Sequence, residues 1–319
     1  MEVGSIQAFL THLIDYAGLF PPASLPLETS VRHYASYQAD PDAWMLGHFV
    51  IPASALMDLA PYKTLFSKEQ PLKIAALGRK SADEESCRKY LLEDLNQVAS
   101  FHAEFAESGK VGVWEQPLPP AWEGGSLLAF IAEEAKKRDL RVFCELAEPF
   151  HPEREARLME ALDAIAAINA QGDMKLGLKL RAGGVTAEAF PTVEQVAAVL
   201  IGCRDRGIAL KFTAGLHHPI RMYRQEVQTR MHGFLNVFTA GLLACVHQLD
   251  AQTVQEILGD EQAEHFSFQS DGLTWRELSI SAADIRRLRE VALCSYGSCS
   301  FDEPRDDLRG LHFTFQEEK

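Results

Sequence analysis

The sequence lacks an excess of basic residues and any long apolar run. Its 319 residues include 31 Lys and Arg against 45 Asp and Glu, a formal net charge of −14. Nucleic acids and anionic membrane surfaces attract proteins that have a basic face, so this charge excludes both as expected partners. No segment is apolar over the length that a membrane helix needs, and the first residues carry no basic signal-peptide region. The sequence therefore predicts a cytoplasmic protein.

Cysteine is scarce, and the common cofactor motifs are missing. None of the six cysteines forms a C-x-x-C pair, and several lie in the apolar surroundings typical of reduced, buried thiols. The chain contains no G-x-G-x-x-G turn, no G-x-x-x-x-G-K-[ST] loop and no H-E-x-x-H motif. These absences leave no expected cofactor, although a divalent metal stays open.

The sequence does contain a regular alternation of strand-like and helix-like segments. Strand-like segments begin at residues 110, 140, 175 and 208, a spacing of about thirty residues that matches a βα unit. These strands are apolar on both faces, which indicates parallel strands covered by helices. The helix-like segments of this part of the chain are 84–107, 126–138, 153–170 and 192–206.

Eight such units predict an α/β fold, a (β/α)8 TIM-type barrel, with an open doubly wound sheet as the alternative. Two earlier strands, 47–52 and 72–78, fit the alternation. Two later segments complete the count, although 233–238 is equally compatible with a helix and 264–269 with a small hairpin. If either is not a barrel strand, residues 14–17 are expected to supply the missing one.

Residues 1–319 form one barrel domain in this prediction. Residues 1–40 are an N-terminal extension, and residues 294–319 are a C-terminal tail that wraps the barrel. Both segments carry polar residues between glycines and aromatics, and Asp15 and Cys299 among them are candidates for closing the barrel mouth.

Two predicted strands carry charged residues within apolar sequence. In KLGLKLRA, the period of two puts Lys179 and Arg181 on one face and the leucines on the other. In IALKFTA, it puts Lys211 and Thr213 on one face. Because the leucines belong against the helices, the charged residues are expected to point into the barrel.

The same phase places Glu115 and Glu145 at the ends of the two preceding strands, with His48 and Arg79 as further candidates. A purely structural ion-pair network, for example Glu145 with Lys179, is one interpretation. The charges gather where strands end, however, and active sites of barrels lie at the carboxyl ends of the strands. This position favours a functional role.

Lys179 and Lys211 lie on consecutive strands, which are about 4.8 Å apart. Two ammonium groups so close disfavour each other, so we expect the pKa of one lysine to be lowered. A neutral lysine attacks a carbonyl carbon to form a Schiff base, or acts as a general base. Lys211, Lys179, Glu145, Glu115 and His217 are therefore the candidate catalytic residues.

The segment Lys211-Phe212-Thr213-Ala214-Gly215 resembles the Lys-x-[Ser/Thr]-x-Gly strand end of class I aldolases of the deoxyribose-phosphate type. In that family the lysine lies on the sixth barrel strand and forms the Schiff base, and Lys211 falls on the sixth predicted strand. The family also has a second lysine that perturbs the first, a role that the resemblance implies for Lys179. The family's second lysine lies on the following strand, whereas Lys179 precedes Lys211.

Residues that follow the two strands suit an anionic substrate. Arg181 can hold two oxygens of a phosphate or carboxylate. Gly183 and Gly184 let backbone N–H groups approach a ligand, and Thr213 and Gly215 offer further donors.

Two adjacent histidines follow the second strand. On an extended chain they point in different directions, so they are not expected to share one metal ion. His217 is a candidate acid or base and His218 a candidate substrate contact. The alternative is a pair of histidines that only form hydrogen bonds within a loop.

The leading hypothesis is an enzyme that acts on a small anionic carbonyl compound, a lyase of aldolase type. A small anionic metabolite is then the expected partner, and a homo-oligomer stays open. The second hypothesis is a metal-dependent isomerase or hydrolase, with Glu115, Glu145 and either His217 or His218 as ligands. The third is a non-catalytic barrel that binds a metabolite.

Overall fold

A computed structural model describes residues 4–122, 125–147, 150, 155–311 and 313. The barrel strands are β1 Ile14–Tyr16, β2 Leu46–Pro52, β3 Leu72–Leu77, β4 Gly109–Pro117, β5 Arg141–Glu145, β6 Leu176–Arg181, β7 Leu210–Thr213 and β13 Leu293–Ser298. These eight parallel strands close into a barrel in the order β1-β13-β7-β6-β5-β4-β3-β2, which confirms the predicted (β/α)8 fold.

Helices cover the outside of the barrel and connect most of its strands. A 3₁₀ segment, Ala53–Leu65, replaces the α-helix between β2 and β3. The helices are α1 Ser5–Leu10, α2 Leu27–Gln38, α3 Glu84–Phe105, α4 Gly125–Lys136, α5 Glu155–Gln171, α6 Val193–Arg206, α7 Phe234–His247, α8 Ala251–Gly259, α9 Ala282–Val291 and α10 Asp302–Gly310. No described helix is both long enough and apolar enough to cross a membrane.

The predicted helix boundaries follow from local chemistry. Thr192 and Gln195 form a capping box at the start of α6, and Gly207 ends that helix in the left-handed conformation that glycine adopts without strain. Asp83 caps α3 in the same reciprocal way. The predicted helix 153–170 corresponds to α5, and its predicted first residue, Glu153, lies outside the described residues.

Neither of the two later segments that completed the strand count is a barrel strand, and each has the structure that was given as its alternative. Residues 234–238 begin α7, a helix whose first eleven residues are all buried, so no polar face distinguishes it from a buried strand. Residues 266–268 form β10, which pairs with β11 Gly272–Trp275 and β12 Leu278–Ser281 in a separate antiparallel sheet. Another antiparallel pair, β8 Met222–Arg224 and β9 Thr229–Met231, follows β7.

The missing strands come from the two ends of the chain. Residues 14–16 supply β1, as the alternative prediction has it, and residues 293–298 supply β13, which pairs with both β1 and β7. The segments 1–40 and 294–319 are therefore not merely an extension and a tail, because each contributes a strand that closes the barrel. With β1 as the first strand, Lys179 lies on the sixth barrel strand and Lys211 on the seventh.

The main hydrophobic core lies between the strands and the helices, and a smaller apolar cluster lies inside the barrel. The inner cluster is packed by Ala17, Val50, Ala75, Val113 and Phe143. These residues come from five different strands or strand ends, so they fill only part of the interior. The remainder of the interior holds charged side chains.

Candidate active site

Six charged side chains of alternating sign form a connected row inside the barrel, which we call the ion chain. Because its members occupy inward positions on β1, β4, β5, β6 and β7, the period of two places them in the interior. Successive members are within ion-pair distance of each other. In order, they are Asp15, Lys211, Glu115, Lys179, Glu145 and Arg181.

Lys179 lies between two glutamates. Its Nζ is 2.6 Å from Glu115 Oε2 and 2.8 Å from Glu145 Oε2. Glu145 also accepts a contact of 3.3 Å from Arg181 Nη2. Side-chain exposure rises along this series, from 2% for Lys179 to 14% for Glu145 and 51% for Arg181. Arg181 is the last residue of β6, so the ion chain reaches solvent at the carboxyl-terminal mouth of the barrel.

Lys211 is the most enclosed of the cations, with a side chain 1% exposed. Its Nζ contacts Asp15 Oδ2 and lies 3.2 Å from Ser295 Oγ, whose hydroxyl in turn donates to Asp15 Oδ2 at 2.6 Å. Glu115 Oε1 is 3.3 Å from the same Nζ. This contact lacks hydrogen-bond geometry, and among the described residues no donor satisfies that buried oxygen.

Asp15 is fully buried and is held by an irregularity in β2. The pairing of β1 with β2 shifts register between Ile14 and Tyr16, so the backbone N–H of His48 donates to Asp15 Oδ1 at 2.5 Å. A side chain at Gly47 would overlap that oxygen, which explains the glycine there. His48 Nδ1 adds a second contact to Oδ1 at 2.9 Å.

The ion chain keeps both lysines protonated. Burial by itself lowers the pKa of each lysine, but Glu115 and Glu145 around Lys179, and Asp15 and Glu115 around Lys211, raise both pKa values above the ordinary range. The expectation that mutual repulsion lowers one lysine pKa is wrong, because Glu115 lies between the two ammonium groups. Burial raises the pKa of Asp15, yet Lys211 and His48 hold it well below its ordinary range.

The candidate anion-binding residues gather at the carboxyl-terminal mouth. Thr213 pairs in register with Arg181, and the turns after β6 and β7 lie against each other. A Cβ on Gly183 would be 2.8 Å from Gly215 Cα, and Gly215 has a φ of +73°. A Cβ on Gly184 would instead contact Ala189, so Gly184 does not take part in the contact between the two turns. Both turns therefore present backbone close to Arg181.

His217 and His218 contact the C-terminal segment rather than the ion chain. His217 Nδ1 is 3.8 Å from Cys299 Sγ and 3.6 Å from Glu303 Oε2. His218 Nδ1 lies 2.5 Å from Asp307 Oδ2. Although burial opposes it, Cys299 and Glu303 raise the pKa of His217 to about 9. The histidines thus attach α10 to the loop after β7.

Two arrangements that the sequence suggested are not formed among the described residues: a metal site at the strand ends, and a position for Arg79 beside the other charged residues. Lys179 separates Glu115 from Glu145, and across the described parts of the chain no group of three His, Cys, Asp or Glu residues is placed to hold a metal ion. The arrangement of Glu115, Glu145 and a histidine as metal ligands is therefore absent from those parts. Arg79 binds Glu93 and Asp94 of α3 and does not join the ion chain.

Sequence reasoning missed Ser295 and did not connect Asp15 with the lysines. The signal for Asp15 was present, since reading residues 14–17 as a strand puts Asp15 and Ala17 on one inward face. Ser295 lies in a stretch of small and polar residues that carries no strand pattern.

Neither a family model nor a curated protein sequence matches the chain. Among solved structures, an engineered protein is 12% identical, covering 81% of this chain and 68% of its own, with a TM-score of 0.45. A xylose isomerase domain protein from Alicyclobacillus acidocaldarius subsp. acidocaldarius is 14% identical, covering 77% of this chain and 97% of its own, with a TM-score of 0.40.

Proposed function

We propose that the chain is an enzyme that acts on a small anionic carbonyl compound through a lysine imine, a lyase of aldolase type. The observation that carries this proposal is the row of buried lysines and carboxylates that ends at the half-exposed Arg181 in the carboxyl-terminal mouth. The row places lysine amines next to carboxylates that can accept protons and next to a cation that can bind an anion. Imine formation on an anionic substrate uses all three kinds of group.

Arg181 is the entry group for the substrate anion. Its contact with Glu145 is loose at 3.3 Å, so a phosphate or carboxylate can compete for the guanidinium. The turns at Gly183 and Gly215, which contact each other, follow the strand ends that carry Arg181 and Thr213. An anion bound here has its carbonyl carbon nearer to Lys179 than to the more enclosed Lys211.

Lys179 is the amine of this proposal. In the resting state it is an ammonium ion, and the acceptors for its proton are Glu115 Oε2 at 2.6 Å and Glu145 Oε2 at 2.8 Å. After one proton moves to a glutamate, the amine attacks the carbonyl carbon. The glutamate then returns the proton to the oxygen, which becomes a hydroxyl. A second proton passes from the nitrogen to that hydroxyl through the same glutamate, so the oxygen leaves as water and the iminium ion remains.

The aldolase resemblance supports two assignments of the lysines. The Lys-x-Thr-x-Gly pattern falls on Lys211, which makes Lys211 the imine lysine. The family's strand positions, a sixth-strand imine lysine followed by a second lysine on the next strand, fall on Lys179 and Lys211. We favour Lys179, because its partner Glu145 is the one that contacts the mouth.

Borohydride trapping tests the proposal and separates the two lysines. The protein is incubated with pyruvate, a 2-oxo acid, or with dihydroxyacetone phosphate, a phosphorylated ketone, reduced and digested with trypsin. An adduct on Lys179 blocks cleavage there and yields a peptide of residues 176–181, whereas an adduct on Lys211 yields residues 207–221. We expect the first peptide, and its loss in Lys179→Met.

Lys136→Met is the matched control, because Lys136 is an exposed lysine whose ion pair with Asp173 is 60% and 92% exposed. It should leave the adduct unchanged. An adduct on Lys211 alone would transfer the amine role to that residue. Labelling that is spread over surface lysines, or absent while a class I aldolase reacts in parallel, would contradict the proposal.

A further inference from the structure

His48 extends the ion chain beyond Asp15, at the end opposite Arg181. His48 binds Asp15 through both its ring and its backbone N–H, and its side chain is 29% exposed. His48 is the third residue of β2, whereas Arg181 is the last residue of β6. Because all eight barrel strands are parallel, early and late strand positions lie towards opposite mouths of the barrel. The two exposed ends of the chain therefore face opposite mouths.

We propose that His48 exchanges protons between the ion chain and solvent at the amino-terminal mouth of the barrel. This gives the buried lysines a proton route that does not pass through the substrate mouth. The inference concerns the same ion chain as the proposed function, but its test requires no substrate, so the two can fail separately.

Each step of the route is a short contact between groups that bind protons. His48 Nδ1 is 2.9 Å from Asp15 Oδ1, and Asp15 Oδ2 contacts Lys211 directly and through the hydroxyl of Ser295. Lys211 Nζ is 3.3 Å from Glu115 Oε1, and Glu115 Oε2 is 2.6 Å from Lys179. Imidazole is the one side chain whose ordinary pKa suits proton exchange near neutral pH.

Glu115 Oε1 is the position where a proton can be received. It is a buried carboxylate oxygen that no described donor satisfies, although a buried oxygen of this kind normally has a hydrogen bond. It also lies 3.3 Å from Lys211 Nζ, so a small side-chain rotation would align a hydrogen bond between them. The ion chain therefore lacks a hydrogen bond at its centre, between Glu115 and Lys211. A proton that moves between the two lysines must cross this position.

The transfer balances with one proton. Suppose that Lys179 is left as an amine when a product imine is hydrolysed. Lys211 first gives one of its ammonium protons to Glu115, which passes it to Lys179. A solvent acid then protonates His48 at Nε2, His48 gives its Nδ1 proton to Asp15, and Asp15 gives a proton to the neutral Lys211, which becomes an ammonium ion again. One proton has then moved from solvent to Lys179, and every intermediate group has regained its starting charge.

The described apolar side chains inside the barrel cannot carry a proton past the ion chain. Val50, Ala75, Val113 and Phe143 fill the space beside the chain. A purely structural role for His48, which would only fix the Asp15 carboxylate, requires its hydrogen bonds but not its titration. Glutamine in its place keeps a donor for Asp15 and removes the titrating group, so His48→Gln separates the two roles.

The experiment measures the solvent exchange of the lysine ammonium protons by NMR, with 15N at lysine Nζ. Lys211→Met and Lys179→Met assign the two signals. In His48→Gln we expect exchange of the Lys211 ammonium to slow by roughly a hundredfold, the low end of what a positioned acid or base contributes. The backbone amide exchange of Lys211 in the same sample should stay unchanged, which shows that the barrel opens no less often.

His247→Gln is the matched control, because His247 is exposed, lies outside the barrel interior and binds the carbonyl oxygen of Ser279. It should leave both ammonium rates unchanged. His48→Phe is the second variant, in case glutamine perturbs β2, and it should slow exchange in the same way. An ammonium rate within about threefold of wild type in a folded His48 variant would overturn the proposal, since a positioned acid–base group contributes more than that.

Discussion

Removing one member of the ion chain should destabilise the protein more than removing two neighbours. Lys179→Met leaves Glu115 and Glu145 without the cation that both contact at under 3 Å, and these two side chains are only 2% and 14% exposed. Glu115→Gln leaves Lys179 and Lys211 facing each other without the carboxylate between them. Breaking a buried pair by removing one partner costs about 3–5 kcal/mol, and we expect each single variant to lose that much.

The double variant Lys179→Met/Glu115→Gln leaves two complete pairs, Asp15 with Lys211 and Glu145 with Arg181. Its interior is again neutral, so we expect it to be no less stable than either single variant. The coupling energy should therefore be at least about 3 kcal/mol, at the upper end of values for residues in contact. Urea unfolding at neutral pH, followed by circular dichroism and extrapolated linearly to water, measures all three free energies of unfolding.

The exposed pair of Lys136 and Asp173 is the control. Its side chains are 60% and 92% exposed at a separation of 3.0 Å, and the corresponding variants should each change the free energy of unfolding by less than about 0.5 kcal/mol. Additive losses in the buried double variant would refute the reasoning, because they would mean that the two charges do not interact. Single losses below about 1 kcal/mol would show that the interior is better solvated than its burial indicates.

Three further results are expected. Because the pKa of His217 is raised to about 9, its contribution to stability should be complete below the unfolded value of about 6.5 and vanish as pH rises through 9; pH-dependent urea unfolding should show this loss in wild type and not in His217→Asn. Gly215→Ala should lower the free energy of unfolding by more than about 1 kcal/mol, since φ is +73° and the new Cβ would lie 2.7 Å from backbone of the neighbouring turn. Burial raises the pKa of Cys144 to about 12, so iodoacetamide and mass spectrometry should find the partly exposed Cys299 alkylated while Cys144 is unmodified.

The parts of the fold that the sequence predicts are those with a strict local period. Residues 176–181 alternate inward and outward as expected, because the leucines belong to the main core while Lys179 contacts Glu115 and Glu145. The ion pair of Glu145 with Lys179, which the structural interpretation named, is present at 2.8 Å. Capping residues at Asp83 and Thr192 mark helix starts that depend only on neighbouring residues. Local chemistry is sufficient for these elements.

The strands that close the barrel are different, because local pattern does not define them. β1 has three residues, which is too short to show a period, and β13 is rich in small polar residues. Their pairing joins residues about 280 positions apart, such as Asp15 and Ser295. Counting the two later segments as strands left residues 14–16 out of the count. The omission of this first strand lowered the strand number of both lysines by one and changed their relation to the aldolase pattern.

The ion chain is not an arrangement that stability alone explains. Well-packed apolar residues in place of a buried ion pair are often neutral or stabilising, since taking charges out of water is costly. The same barrel already packs Val113 and Phe143 at inward positions of β4 and β5, so its interior accepts apolar side chains at the same depth. On β4 the next inward position is Glu115 and on β5 it is Glu145, and both contact Lys179. On these two strands the change from apolar to charged occurs towards the strand ends, where barrel enzymes place their chemistry. On β1 and β2 the order is reversed, because Asp15 precedes Ala17 and His48 precedes Val50. The end of the ion chain at Glu145 and Arg181 therefore supports the proposed substrate site, and the end at His48 supports the proposed route for proton exchange.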